Sequence, residues 1–292
     1  MRSPGRAAAL VALLVSGLGL CRCTVDEPPE AATPETDPER RRVLLFWERF
    51  NAATRVRSGG SCAEALPVYE EALALDPDHE DCLYYLGQCR RQVGEPGLAR
   101  DSLERLVQLN PESARGHLAL GALLASPDPA EPMDLEAAER HLRRAHEING
   151  EETGPVVRLG EVTLVSGRPE EARQWFEAAL RTNGKSVEAA LLAGYTVWAA
   201  REAPDPAPLA LRVRRAATVE APVASVLNEG DRRDARGKIA RPLLSPLGRL
   251  LFEEPVDVLR ARGASGQPPS DAEVVEAWRE VDRLLREYEA RR

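Results

Sequence analysis

The sequence predicts an all-α fold of stacked helical hairpins, and three observations carry that prediction. Gly87, Gly121, Gly160 and Gly194 recur at intervals of 34, 39 and 34 residues, each closing the same short pattern. The copies read Leu83-x-x-Leu86-Gly87, His117-x-x-Leu120-Gly121, Val156-x-x-Leu159-Gly160 and Ala190-x-x-Ala193-Gly194. After most of these glycines comes a small residue, with a bulky one four positions on: Ala99 with Leu103, Ala138 with Leu142, Ala172 with Phe176. Ala65 with Tyr69 belongs to an earlier copy, and another apolar position follows at Ala72, Leu106, Ala145 and Ala179. Finally, turn residues separate these runs at matching places, which divides each copy into two helices.

Leu83, Leu86 and Arg90 recur at helical spacing, as do Ala99, Leu103 and Leu106, so both halves of a copy are amphipathic helices. A glycine inside a helix costs roughly 1 kcal/mol against alanine. It is tolerated here because it removes bulk where two helices cross closely. Gly94-Glu95-Pro96-Gly97 and Ser166-Gly167-Arg168-Pro169 turn the chain within a copy. Asp76-Pro77, Asn110-Pro111, Asn149-Gly150 and Asn183-Gly184 stop the second helix. One hairpin cannot bury its apolar side alone. Stacking does so, and a right-handed superhelix with a concave face is the expected outcome.

The elements follow in order. Arg2 and Arg6 precede an apolar run over residues 7–20, which ends at Cys21-Arg22-Cys23. This layout reads as a secretory signal and is short for a membrane span. It resembles a bacterial lipoprotein signal, which implies acylation of Cys21. Leu18 fits that signal, whereas Leu20 stands where Gly, Ala or Ser is usual. Cleavage near residues 17–20 to release a soluble protein, or an uncleaved anchor, therefore stay open. Residues 1–21 are read as the signal segment and 22–39, rich in Pro, Glu, Thr and Asp, as a disordered tether.

Residues 40–220 carry the repeats. The first pair is irregular: Trp47-x-x-Phe50-Asn51 puts Asn51 at the glycine position, and residues 55–61 read as a long turn. Ser126-Pro127-Asp128-Pro129-Ala130-Glu131-Pro132 accounts for the five extra residues of the third copy. The fifth has a good first helix over 186–201, then Pro204, Pro206 and Pro208, and a degenerate second helix around 209–219. Residues 221–292 form a C-terminal extension. Within it 228–237 reads as an exposed loop, and Pro242-Leu243-Leu244-Ser245-Pro246-Leu247 with Leu250-Leu251-Phe252 as an apolar cover for the last repeat. A connector over 263–270 leads to a final helix near 271–289, with Val274, Val275, Trp278, Val281, Leu284, Leu285 and Tyr288 on one stripe. That helix reads as a cap or as a partner-binding helix.

A period near 34 with these small and large positions is similar to the tetratricopeptide repeat family, about four to five copies of it. The resemblance implies a superhelix that binds a protein or peptide along its concave face, without a cofactor. In that family ligands touch set positions of each first helix. They correspond here to Asp81, Tyr84, Gln88, Arg91 and Gln92, then Arg115, Leu118, Ala122 and Ala125. The fourth copy supplies Val157, Glu161 and Leu164, and the fifth Glu188, Leu191, Tyr195 and Trp198. The Lys and Asn set with which some members grip a terminal carboxylate is absent. The positions suit an extended or helical peptide with apolar anchors. The alternative is that a C-terminal segment folds back over several of them.

Composition narrows the function. A net charge of -8 offers no overall basic field for nucleic acid. Cys82 and Cys89 lie seven apart on one helix, too far to bridge. In such a stack Cys62 and Cys89 come from helix ends that approach each other, which makes them a candidate disulfide; otherwise all three are small buried groups. Among the histidines, His117 holds a core position, His79 sits at a turn, and His141 and His146 are five apart, unsuited to one helix face. No metal site, cofactor site or catalytic constellation emerges. The expected function is a non-enzymatic scaffold or adaptor in the bacterial cell envelope, with membrane contact through a lipid anchor only. The alternatives are an accessory subunit of an envelope enzyme, or an assembly factor for pili or outer-membrane proteins.

Overall fold

A computed structural model of the chain describes residues 37–126, 133–226 and 252–291. Cys21, the signal segment, most of the tether, the Pro-rich insertion from residue 127, the loop at 228–237 and the apolar segment up to residue 251 lie outside the described residues. The chain divides into two units, residues 1–41 and 42–292. In the first, the Asp37 carboxylate accepts from the backbone N–H of Glu39 at 3.1 Å and so caps a helix that opens at Pro38. The helix thus begins two residues inside the segment read as tether.

Twelve helices and no strand are present among the described residues. Five hairpins come first: α1 (Pro38–Ser58) with α2 (Cys62–Leu75), α3 (Glu80–Val93) with α4 (Pro96–Leu109), and α5 (Ala114–Leu124) with α6 (Leu135–Ile148). The series continues with α7 (Thr153–Val165) and α8 (Pro169–Thr182), then α9 (Val187–Ala199) and α10 (Ala207–Val226). Two further helices, α11 (Glu253–Ala264) and α12 (Asp271–Arg291), pack on α9 and α10. Local chemistry sets the boundaries. Ser61, Ser113, Asp134 and Ser186 each accept a backbone N–H from the first turn they precede. Gly94 ends α3 in the left-handed region at φ 88°, where side chains are costly.

Packing explains the recurring glycines. A Cβ on Gly87 would lie 2.9 Å from Leu103, one on Gly121 2.7 Å from Leu142, and one on Gly160 inside the Phe176 ring. The small and bulky positions of each copy therefore meet across its own hairpin. The fifth copy departs from this rule. Four residues beyond Ala210 stands Arg214, which turns away to pair with Asp271 at 3.0 Å. The surface of Gly194 is filled instead by Trp278 of α12, whose Cζ2 would lie 2.7 Å from a Cβ there. The Trp278 indole N–H donates to the Leu191 carbonyl at 2.9 Å. The C-terminal helix thus completes the repeat that α10 leaves unfinished.

Several boundaries differ from the sequence reading. α1 continues to Ser58, so the long turn shrinks to residues 59–61. α10 runs from Ala207 to Val226: Pro204 and Pro206 stay in the loop, and Pro208 falls in the first turn, where no intrahelical N–H is needed. α11 was not anticipated: Pro255, Val256, Leu259 and Gly263 are its buried positions, too few for a period to emerge. Gly263 is required there, since a Cβ would strike the Ala217 carbonyl of α10. Cys62 and Cys89 are joined in a disulfide with Cα atoms 4.9 Å apart, fastening α2 to α3. Cys82 is free and buried, and desolvation by its surroundings pushes its thiol up to about 12.

Candidate functional site

The first helices α3, α5, α7 and α9 touch one another in sequence and form one row. At its N-terminal end the row offers an accessible corner. Arg115 of α5 forms an ion pair with Asp81 of α3, and its guanidinium lies 5.0 Å from the centre of the Tyr84 ring. That geometry is a cation–π contact. Tyr84 rests on the Leu83, Leu103 and Leu120 core, as does Leu118. Burial raises the Tyr84 phenol pKa, against the pull of Arg115, so the hydroxyl stays protonated and able to donate. Beside it Arg91 donates to the Gln88 side-chain carbonyl at 3.4 Å, with Gln88 itself buried. The corner combines an aromatic face, an aliphatic side chain and charges of both signs.

The C-terminal half of the row is different. Val157, Glu161, Leu191 and Tyr195 are buried, as are Ala122, Ala125 and Leu164. Leu191, Tyr195 and Trp198, expected in a free groove, face α12 instead. The Tyr195 hydroxyl donates to Asp282 at 3.2 Å, and the Trp198 ring stacks on Trp278 with centroids 6.1 Å apart. Burial, reinforced by Asp282, raises the Tyr195 pKa. The apolar stripe of α12 needs cover, and the unfilled Gly194 surface supplies it; intramolecular packing therefore wins over an external ligand.

Glu161 and Glu188 belong to a buried charge cluster. Arg158 donates to Glu161 at 2.5 Å and to Glu188 at 2.9 Å, while Arg260 of α11 lies 3.9 Å from Glu188. Burial, with the Glu188 carboxylate alongside, pushes the Glu161 carboxyl well above the usual range. Burial opposes ionisation of Glu188 too, but Arg158 and Arg260 outweigh it and its pKa falls. The cluster links α7, α9 and α11, and Arg158 and Arg260 carried no motif by which to be found. A second polar pair was hidden the same way. His117 and His141 face each other across α5 and α6 with Nδ1 atoms 2.9 Å apart, and His117 Nε2 donates to the Pro111 carbonyl at 3.1 Å. Among the described residues no group of three or more His, Cys, Asp or Glu side chains is placed to hold a metal ion.

The comparisons agree with this architecture. Residues 59–124, which run from the turn between α1 and α2 through α5, match the tetratricopeptide repeat family model. A search of curated proteins returns no match. Among solved structures, a crystal structure of MamA protein superposes with a TM-score of 0.53 at 20% identity, over 62% of this chain and 96% of that one. The pilF protein of Pseudomonas aeruginosa gives 0.52 at 21% identity, over 67% and 89% respectively. MamA from Desulfovibrio magneticus RS-1 gives 0.53 at 16%, over 58% and 93%. At such identities the likeness concerns the fold. The glycine register, the hairpin packing and the matched segment agree: residues 59–124 match the tetratricopeptide repeat family, and the hairpins around them share the fold of these structures.

Proposed function

We propose that the protein is a non-enzymatic interaction scaffold of the bacterial cell envelope, and that it binds a peptide segment of a partner at the α3–α5 corner. One observation carries the reading: Asp81, Tyr84, Arg115 and Leu118 come together, part-exposed, on two consecutive first helices. An aromatic ring braced by a guanidinium loses little freedom on binding and offers a large contact face, the character of a binding hot spot. Because α12 occupies the far half of the row, the ligand is short, with an apolar anchor over Tyr84 and Leu118 and polar groups toward Asp81, Arg115 and Arg91. Envelope location is supported by the apolar run ahead of Cys21 and by the Cys62–Cys89 disulfide, which persists in oxidising compartments.

The test is affinity capture from a detergent-solubilised envelope fraction, with wild type and Tyr84→Ala/Arg115→Ala compared. Loss of about 2 kcal/mol at either anchor weakens binding roughly 30-fold, enough to remove the partner from the eluate. Retention of every partner by the double variant would sink the reading. Pilus or outer-membrane components among those lost would favour an assembly role, and a single enzyme an accessory-subunit role.

A further inference from the structure

The outward side of α1 carries an apolar surface that nothing among the described residues covers. Ten large apolar side chains are exposed among the described residues, and four of them, Val43, Leu44, Leu45 and Trp47, fall within five positions of this helix. Leu44 is 60% exposed and Trp47 45%. Helical spacing sets Val43, Leu44 and Trp47 side by side, while Phe46 and Phe50 turn into the core. Edge contacts with Phe46, Phe50 and His79 brace the Trp47 ring in its outward position. Each later first helix meets the second helix of the hairpin before it; among the described residues α1 has no such neighbour. Contiguous exposed apolar side chains on one helix mark a contact surface.

Charge identifies what fits it. α1 holds six arginines against two glutamates, in a chain of net charge -8. Three of them, Arg40-Arg41-Arg42, run directly into Val43. Arg40 and Arg41 fall in the first turn of α1, where cations oppose the helix dipole at about 0.3–1 kcal/mol each. None of the three forms an ion pair among the described residues. A local cost without an internal return points to an anionic partner outside the chain. A second copy of this helix is a poor candidate. Arg55 and Arg57 make the other end basic as well, so α1 against α1 sets like charges together in either orientation.

We infer that α1 is a membrane-surface contact. The arginine run sits among anionic phospholipid headgroups, and Val43, Leu44 and Trp47 enter the boundary between headgroups and acyl chains. This contact is additional to any acyl group on Cys21, sixteen residues before Asp37, and is independent of what the α3–α5 corner binds. The test uses the full chain with Cys21→Ser and Cys23→Ser, so that no acyl group contributes. Flotation with phosphatidylcholine vesicles is compared with flotation on vesicles that also contain phosphatidylglycerol. Binding through residues 7–20 is common to all forms and cancels in the comparison. In Arg40→Gln/Arg41→Gln/Arg42→Gln the preference for anionic vesicles is expected to fall roughly 100-fold, at about a fivefold loss per arginine. Leu44→Ser/Trp47→Ser is expected to weaken binding to both vesicle types while thermal melting shows the fold intact. An unchanged anionic preference in the arginine variant overturns the inference. So does unaltered flotation of Leu44→Ser/Trp47→Ser, above all if sedimentation shows that variant converting a dimer to a monomer.

Discussion

Gly160 faces the Phe176 ring so closely that one methyl group has no room, and that ring is wholly buried. Relief requires the hairpin α7–α8 to open, because a ring edge held on all sides cannot swing aside. Gly160→Ala is therefore expected to lower stability by about 1–3 kcal/mol in urea denaturation. Gly184→Ala, where the added Cβ meets ordinary contact at 3.5 Å, is the matched control and should change little. At the same scale, the His117–His141 pair gives a pH dependence. Burial lowers both pKa values, and their mutual repulsion adds to this for His141. Arg144 and Glu112 face His117, while Arg140, Glu104 and Arg100 face His141, and burial remains the largest cause at both. A folded-state pKa below the unfolded value of about 6.5 means that the unfolded chain takes up more protons. Stability is thus fully present above about pH 6.5 and declines as pH falls below it. Denaturant midpoints followed from neutral to mildly acidic pH should drop more in wild type than in His141→Gln, whose amide still donates to His117.

Individual elements are held by few strong fastenings. The Cys62–Cys89 bridge spans 27 residues and ties the first hairpin to the second. Chain-entropy reasoning gives such a loop about 3–4 kcal/mol of stabilisation through the unfolded state. Cys62→Ala is expected to lower the melting temperature, and reductant should reproduce that shift in wild type but leave the variant unmoved. This hairpin depends on the bridge because its core is small: Phe46, Phe50, Ala53, Ala65, Tyr69 and Ala72 are its main buried groups. The far end is fastened differently. α12 reaches α9 through Trp278, Tyr195 and Asp282, and α11 reaches it through Arg260 and Glu188.

For the whole molecule, the proposed work at a membrane rests on the apolar run before Cys21 and the basic α1. No helix among the described residues is long and apolar enough to cross one. Cells fed labelled palmitate should incorporate it into wild type and not into Cys21→Ser; equal label in both would leave α1 and the uncleaved run as the only routes to the bilayer. The repeats themselves were readable in the sequence because their signal is local. A glycine, a bulky residue and their partners lie within one hairpin, so spacing along the chain is also spacing in space. Asp81, Tyr84 and Arg115 were named through the family resemblance, and they meet because Arg115 lies one repeat after Asp81 on the neighbouring first helix. The covering of Leu191, Tyr195 and Trp198 by the C-terminal helix was open in the sequence only as an alternative. Its cause, Trp278, lies 87 residues from Leu191, and the stripe that bears it does not reveal which surface it will cover. By itself the sequence determined the hairpins, their order and the close crossings inside each. Only the tertiary structure decided which half of the row stays open, because that depends on where two non-local apolar surfaces find each other.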